Sequence, residues 1–278
     1  MRRPESRPKP QPRAITSLQN ERVKLIRSLE MRKARRDSGL FLAEGVSVLA
    51  TAREAGWGPR MLAVLSGAAE SETAVGLLAW AEAAGAECLE VSRAVLAKIA
   101  AKDNPQTMLG VFEQRWASVP AAASLPPGSL WVALEAVRDP GNLGTIIRTA
   151  DAVRADGIIL IGHSVDPYAR ESVRATMGSV FNVPLVRMTG EEFLAWASRH
   201  PGDVIGTHLE AHEDFRAVRY RAPAVLLMGS EGPGLSAELA RACSRLVKIP
   251  MLGKLDSLNL AVATGLMLYE FRRDRLGL

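Results

Sequence analysis

The sequence predicts an α/β protein in two parts: a small α/β domain, then a larger domain on a mostly parallel sheet with helices over both faces. Three observations carry this. Short apolar runs alternate with helical stretches along most of the chain. From Leu130 onward those runs are apolar throughout, as in strands buried on both faces. Between the two alternations, residues 117–128 are rich in Ala, Pro and Ser and read as a linker.

Residues 1–14 are basic and Pro-rich, a composition that cannot pack and predicts a disordered basic tail. A helix is expected from Asn20, with Val23, Leu25, Ile26, Leu29 and Met31 turned inward and a basic outer face. The rest of the first domain, placed at 15–116, has strands expected at 40–43, 61–65, 88–91 and 108–112 and helices at 46–55, 70–84 and 93–100. In the second domain, placed at 129–278, strands are expected at 130–136, 157–161, 183–187, 204–207, 224–228 and 246–249. Helices are expected between them at 143–153, 169–180, 191–198 and 237–243. A last helix follows Asn259 and carries on to Arg275; its Leu260, Val262, Leu266, Leu268 and Phe271 are too apolar for an exposed helix and predict burial.

The 278 residues are 47% hydrophobic and 23% charged, which suits a soluble globular chain with a substantial core. The formal net charge is +5, and it is concentrated: twelve basic residues face four acids between Arg2 and Asp37. Positive charge gathered near one end favours a nucleic-acid partner. Cys88 and Cys243 stand far apart without metal spacing, which predicts reduced thiols and a cytoplasmic protein. His208 and His212 are four apart, but Glu210 does not follow the first directly, so the pattern is not that of a zinc protease. No stretch has the length and apolarity of a membrane span.

In open parallel sheets ligands bind beyond the carboxyl ends of the strands, so the loops after the strands are the candidates for chemistry. The first runs Asp139-Pro-Gly-Asn-Leu-Gly-Thr-Ile-Ile-Arg148; Asn142 is placed to cap the helix that follows, and Arg148 lies about 120° round it. The second, Met228-Gly-Ser-Glu-Gly-Pro-Gly234, has three glycines that allow close backbone approach, and Glu231, which a turn does not need. It is not the dinucleotide-binding glycine pattern. The third runs from Ile249 to Asn259, where Ser257 and Asn259 read either as helix caps or as polar groups held for a ligand.

Together these three stretches resemble the three motifs of the SpoU (TrmH-type) RNA ribose 2′-O-methyltransferases, in that family's order and spacing. A fourth, Arg174-Ala-Thr-Met-Gly-Ser-Val-Phe, is similar to the family's Arg-Ala-Ser-x-Gly stretch. The resemblance is strong over 129–278 and weaker over 15–116, where Asn20, Lys24, Arg32-Lys33, Glu44-Gly45 and Asn104-Pro105-Gln106 look like the family's L30e-like substrate-binding domain. It implies a trefoil-knotted methyltransferase domain, a homodimer through the C-terminal helix, and S-adenosylmethionine held by backbone groups at Gly229, Ile249 and Leu258. It also implies Arg148 as general base or charge stabiliser, Asn142 orienting Arg148 or the ribose, and Glu231 positioning the second loop or Arg148. Ser257 and Asn259 then hydrogen-bond at cofactor and nucleotide. The separate N-terminal domain points to ribosomal RNA, with the basic tail on its phosphates. The alternatives are a tRNA target, or a non-catalytic RNA- or ribosome-binding protein on the same fold.

Overall fold

The computed structural model describes residues 12–278. The chain forms two compact units: one runs to Gln114 and takes in Tyr168–Arg174, the other comprises Arg115–Pro167 and Ala175–Leu278. Of the tail expected at 1–14, residues 1–11 lie outside the described residues. Arg13 and Ala14 belong to a strand.

The first unit runs β1 (Arg13–Ile15), α1 (Glu21–Ser28), α2 (Arg32–Ser38), β2 (Leu40–Glu44), α3 (Val46–Glu54), β3 (Met61–Leu65), α4 (Glu72–Ala83), β4 (Glu87–Val91), α5 (Arg93–Ala100), β5 (Met108–Glu113). Its five strands make one mixed sheet in the order β1-β4-β3-β5-β2, with β5 antiparallel to both neighbours. Asn20, Ser71 and Ser92 cap α1, α4 and α5 with their side-chain oxygens. The helix expected to reach Met31 ends at Ser28. Met31 is 66% exposed, whereas Leu29 enters the core. The break is held by buried Arg35, which donates from Nη1 to the Leu29 and Glu30 carbonyls at 2.9 and 2.8 Å. One of the twelve basic residues near the N-terminus is therefore structural. The Tyr168 and Phe41 rings pack tilted at 45° with centroids 4.6 Å apart, and Arg174 donates to Glu44 Oε2 and to the Ala100 carbonyl, both at 2.9 Å. Tyr168–Arg174, expected with the second domain, thus packs as part of the first unit.

The chain continues with β6 (Leu130–Glu135), α6 (Pro140–Ala152), β7 (Gly157–Ile161), α7 (Arg170–Thr176), β8 (Leu185–Met188), α8 (Gly190–Ala197), β9 (Asp203–Thr207) and β10 (Glu213–Asp214). Then come β11 (Ala224–Met228), α9 (Ala237–Ala242), β12 (Arg245–Lys248), α10 (Leu260–Phe271) and α11 (Arg273–Leu276). The seven strands β6 to β12 form one sheet in the order β10-β12-β9-β11-β6-β7-β8, and every pair is parallel. Successive residues point to opposite faces. Trp131, Ala133, Ile159, Val225 and Leu227 pack under α8 and α9, through Phe193, Trp196, Leu235 and Leu239. The alternate set Val132, Leu134, Ile158, Leu160 and Leu226 is equally buried, on the side where α6 and α10 meet the strands. This two-sided burial is why the strands read as unbroken apolar runs.

The connections from β6 and β11, neighbours in the sheet, leave in opposite directions, one toward β7 and the other toward β12. Right-handed crossovers then put α6 and α9 on opposite faces, leaving a crevice at the carboxyl ends. Helix α10 lies along α6, with Gly265 facing Thr149. It is not buried all round, as its composition predicts. Thr264, Met267 and Leu268 are inside, but Val262, Leu266 and Tyr269 are 53%, 42% and 44% exposed. Spaced at four and three residues, these three form a stripe on the outer side, since α6 and β11 cover only one face.

At the far end Arg272, buried at 6% exposure, closes the pair: Nε donates to Val153 O at 3.2 Å, Nη1 to Gly128 O at 2.9 Å and Nη2 to Arg154 O at 2.9 Å. Carbonyls at the end of α6 have no helical partner and need such a donor. Arg272→Met, which keeps the apolar bulk, should lower stability by roughly 2–4 kcal/mol in urea unfolding followed by tryptophan fluorescence. A loss below about 0.5 kcal/mol would mean that this end of the pair is held by packing alone.

Candidate functional site

The three loops after β6, β11 and β12 come together at the carboxyl ends. The first turns sharply at once, with Ala136 in the left-handed region at φ 47°. Helix α6 then starts one turn earlier than expected. Asp139 is the cap, its Oδ1 accepting from Asn142 N at 2.6 Å, and Pro140 occupies the first helical turn, where a missing N–H costs nothing. Asn142 is therefore not the cap but lies inside the first turn with its amide free to reach across.

The second loop is closed on itself: Ser230 and Gly234 exchange two backbone hydrogen bonds of 3.1 Å. A Cβ on Gly229 would overlap the Gly234–Leu235 peptide, so only glycine fits there. This closed turn presents Glu231. The third loop, 251–258, has no backbone–backbone hydrogen bond among the described residues. It carries Leu252, Leu255 and Leu258 exposed and ends at Asn259, whose Oδ1 accepts from Ala261 N at 2.9 Å and Val262 N at 3.3 Å to cap α10.

One hydrogen-bond chain ties the three loops. Asn259 Nδ2 donates to Asn142 Oδ1 at 2.9 Å, and Asn142 Nδ2 donates to Glu231 Oε1 at 3.0 Å. Glu231 also accepts from the backbone N–H of Arg138 at 3.0 Å and, more loosely, of Asp139 at 3.4 Å. The polarity has no freedom. Because Asn259 Oδ1 is used by the helix, its NH2 must face Asn142, whose own NH2 must then face the carboxylate. Partial burial raises the Glu231 pKa, but the donations from Asn142 and the loop N–H groups outweigh it and hold the carboxyl below its ordinary value. Glu135 at the end of β6 accepts from Ser236 N at 2.8 Å, fixing the exit of the second loop.

The structure thus joins three of the expected side chains, Asn142, Glu231 and Asn259, and places Gly229 at the root of the second loop. Glu231 orders the first loop and Asn142; it does not touch Arg148. Arg148 is exposed and has no hydrogen-bond or ion-pair partner among the described residues, about 9 Å along α6 from Asn142. Ser257 and Leu258 are exposed, and Ile249 is half-buried where β12 ends. Asp139 and the Arg138 and Asp139 amides went unassigned in the sequence, although Asp before Pro is a recognisable helix start.

Residues 129–269 match the SpoU rRNA Methylase family, and residues 20–110 match the MRM3-like substrate binding domain. An uncharacterised tRNA/rRNA methyltransferase of Synechocystis is 34% identical over 94% of each chain. A 23S rRNA (uridine(2479)-2′-O)-methyltransferase of Streptomyces viridochromogenes is 33% identical over 88% of this chain and 86% of that one. The crystal structure of an AdoMet-bound rRNA methyltransferase from Sinorhizobium meliloti superposes with a TM-score of 0.87 at 44% identity, covering 94% of this chain and 98% of that one.

Asn142→Asp separates the two roles of the amide. An aspartate still accepts from Asn259 but cannot donate to Glu231, and it sets two carboxylates against each other, which raises a folded-state pKa. A raised pKa gives stability that is full below the unfolded value near 4 and lost as pH climbs through the folded value. Asn142→Asp should therefore be less stable than Asn142→Ala at pH 8, with the gap closing toward pH 4 in denaturant titrations. A gap independent of pH would show that the two carboxylates do not meet.

Proposed function

This chain belongs to the SpoU rRNA methylase family, and from that premise we propose that it transfers the methyl group of S-adenosylmethionine to a ribose 2′-hydroxyl of ribosomal RNA. The observation that carries the reading is the Glu231–Asn142–Asn259 chain, which draws the three loops into one site where parallel sheets bind ligands.

The residues present fit the cofactor. The third loop offers a run of backbone N–H and C=O groups with no backbone partner, the complement an adenine edge and an amino-acid moiety need, beside apolar Leu252, Leu255 and Leu258. Backbone groups at Gly229, Ile249 and Leu258 are the ones to hold it. Gly229 lies at the root of the closed second loop, and Ile249 and Leu258 stand at the two ends of the third. When bound, the cofactor supplies a methyl already activated by a positive sulfur, so the protein has to align the 2′-oxygen and ease the loss of its proton. Asn142 and Asn259 fix the walls that align it, and Ser257, with its hydroxyl exposed beside Asn259, is free to bond the nucleotide.

Arg148 is the cation of the site. A guanidinium spreads its charge over three nitrogens and gives up its proton very reluctantly, so it serves by stabilising the alkoxide as it forms, not by taking the proton. It has no hydrogen-bond or ion-pair partner among the described residues, which keeps that charge available. The stripe Val262, Leu266 and Tyr269 supports a homodimer through α10. The return of the chain from β12 to α6 supports reading the third loop as the one threaded into the family's knot. The first unit docks the RNA, a reading supported by its substrate-binding-domain match and by exposed Lys24, Arg27, Arg32, Lys33 and Arg36. Among the described residues no helix is long and apolar enough to cross a membrane.

Purified protein with radiolabelled S-adenosylmethionine should methylate ribosomal RNA at a position that then resists alkaline cleavage. Label found on a base instead of a ribose would overturn the reading. Arg148→Lys should lower kcat by roughly 10²–10³ while leaving the pH profile of kcat in place. A profile displaced by a unit or more would make Arg148 a base after all.

A further inference from the structure

At the far end of α6 from the three loops, three arginines converge on one open pocket. Its volume is about 450 Å³, and it is lined by Ala152, Val153, Arg154, Arg272, Arg275 and Leu276. That is within the range of roughly 300–1,000 Å³ typical of ligand pockets. Arg272 forms the base, its donors given to Val153, Gly128 and Arg154. Arg275 lies over Gly128, so close that a Cβ there would collide with Nη2. Arg154 stands at the rim in the left-handed region, φ 52°, which swings it out from the end of α6.

The charges do not balance. Asp156 is 3.7 Å from Arg272 Nη2 and already accepts from Leu130 N at 2.7 Å. The exposed Arg154 and Arg275 side chains have no hydrogen-bond or ion-pair partner among the described residues. Burial, and then the charge of Arg275, push the Arg272 guanidinium below its ordinary pKa, with Asp156 opposing. Clustered guanidinium groups repel, and an anion between them removes that cost through charge-assisted, often bidentate hydrogen bonds. The remaining walls, Ala152, Val153 and Leu276, are apolar and match a sugar ring.

We propose that this pocket takes a backbone phosphate of the RNA substrate, a second RNA contact on the methyltransferase unit itself. The inference rests on the rRNA-methylating reading for its ligand class. It lies about 20 Å from the loops, the length of α6. A contact there reads no base; it fixes the register of the strand against the site.

The test uses the full chain carrying Arg154→Gln and Arg275→Gln together, both exposed, with Arg154→Lys/Arg275→Lys as the charge-preserving control. Affinity for transcribed 23S rRNA is followed by filter binding from 50 to 300 mM KCl, and S-adenosylmethionine affinity by calorimetry. The Gln variant should bind RNA about tenfold more weakly at low salt, with the log–log salt slope lower by about 1 for each phosphate no longer neutralised. Cofactor affinity should match the wild type, and the Lys variant should recover most of the RNA binding. A Gln variant with wild-type RNA affinity and slope overturns the proposal. It does so even if inorganic phosphate raises the Tm of the wild type alone, since the pocket would then serve a free anion. Failure of the parent reading looks different: the wild type itself would not methylate the RNA.

Discussion

The Asn142 side-chain amide is the interaction on which the site depends. Its two ends face opposite demands, an acceptor for Asn259 and a donor for Glu231, and no other side chain of its length meets both. Through it the start of α6, the closed turn after β11 and the start of α10 become one body. The two helices are then held at both ends, by this amide and by Arg272 nearly four turns away. A parallel helix pair pinned twice resists sliding, so the loops above it keep their spacing even though the third of them has no backbone hydrogen bonds among the described residues.

Much of this was legible in the sequence, for physical reasons that differ by element. Strands buried on both faces announce themselves as apolar runs, and Ala224–Met228 and Gly157–Ile161 were read to the residue. The start of α10 was legible from its capping residue types, although Ser257 and Asn259 both qualified and only the structure makes Asn259 the cap. At Asp139-Pro-Gly-Asn two capping residues compete, and only proline's fit to the first helical turn decides between them. Glu231 stood out by type, but its partners did not, because they lie about ninety positions earlier in the chain. A still longer separation in the chain hid the packing of Tyr168 on Phe41. The outer stripe of α10 reads as core because composition registers apolarity and not which side has a neighbour.

Charge tells a parallel story. The basic surplus near the N-terminus counts residues, whereas the fold sorts them. Arg35 is spent inside, on carbonyls at a helix break, while Arg32, Lys33 and Arg36 around it stay outside. The second unit, with as many acidic as basic residues, nevertheless gathers three arginines at one spot. Net charge places nucleic acid among the partners; only the positions of unpaired guanidinium groups say where a phosphate would rest.

Strand β11 enters the sheet between β9 and β6, strands separated by some seventy residues of chain, and pairs with both along nearly its whole length. Both of its ladders are complete only when these two distant segments have come together around it. Such non-local pairing makes folding slow and leaves few routes to the native state. Glu231 stands three residues beyond that strand, so the hydrogen-bond chain of the site needs the strand in place between both neighbours. A chain lacking that strand would hold neither cofactor nor ribose in register, so the site exists only together with the fold.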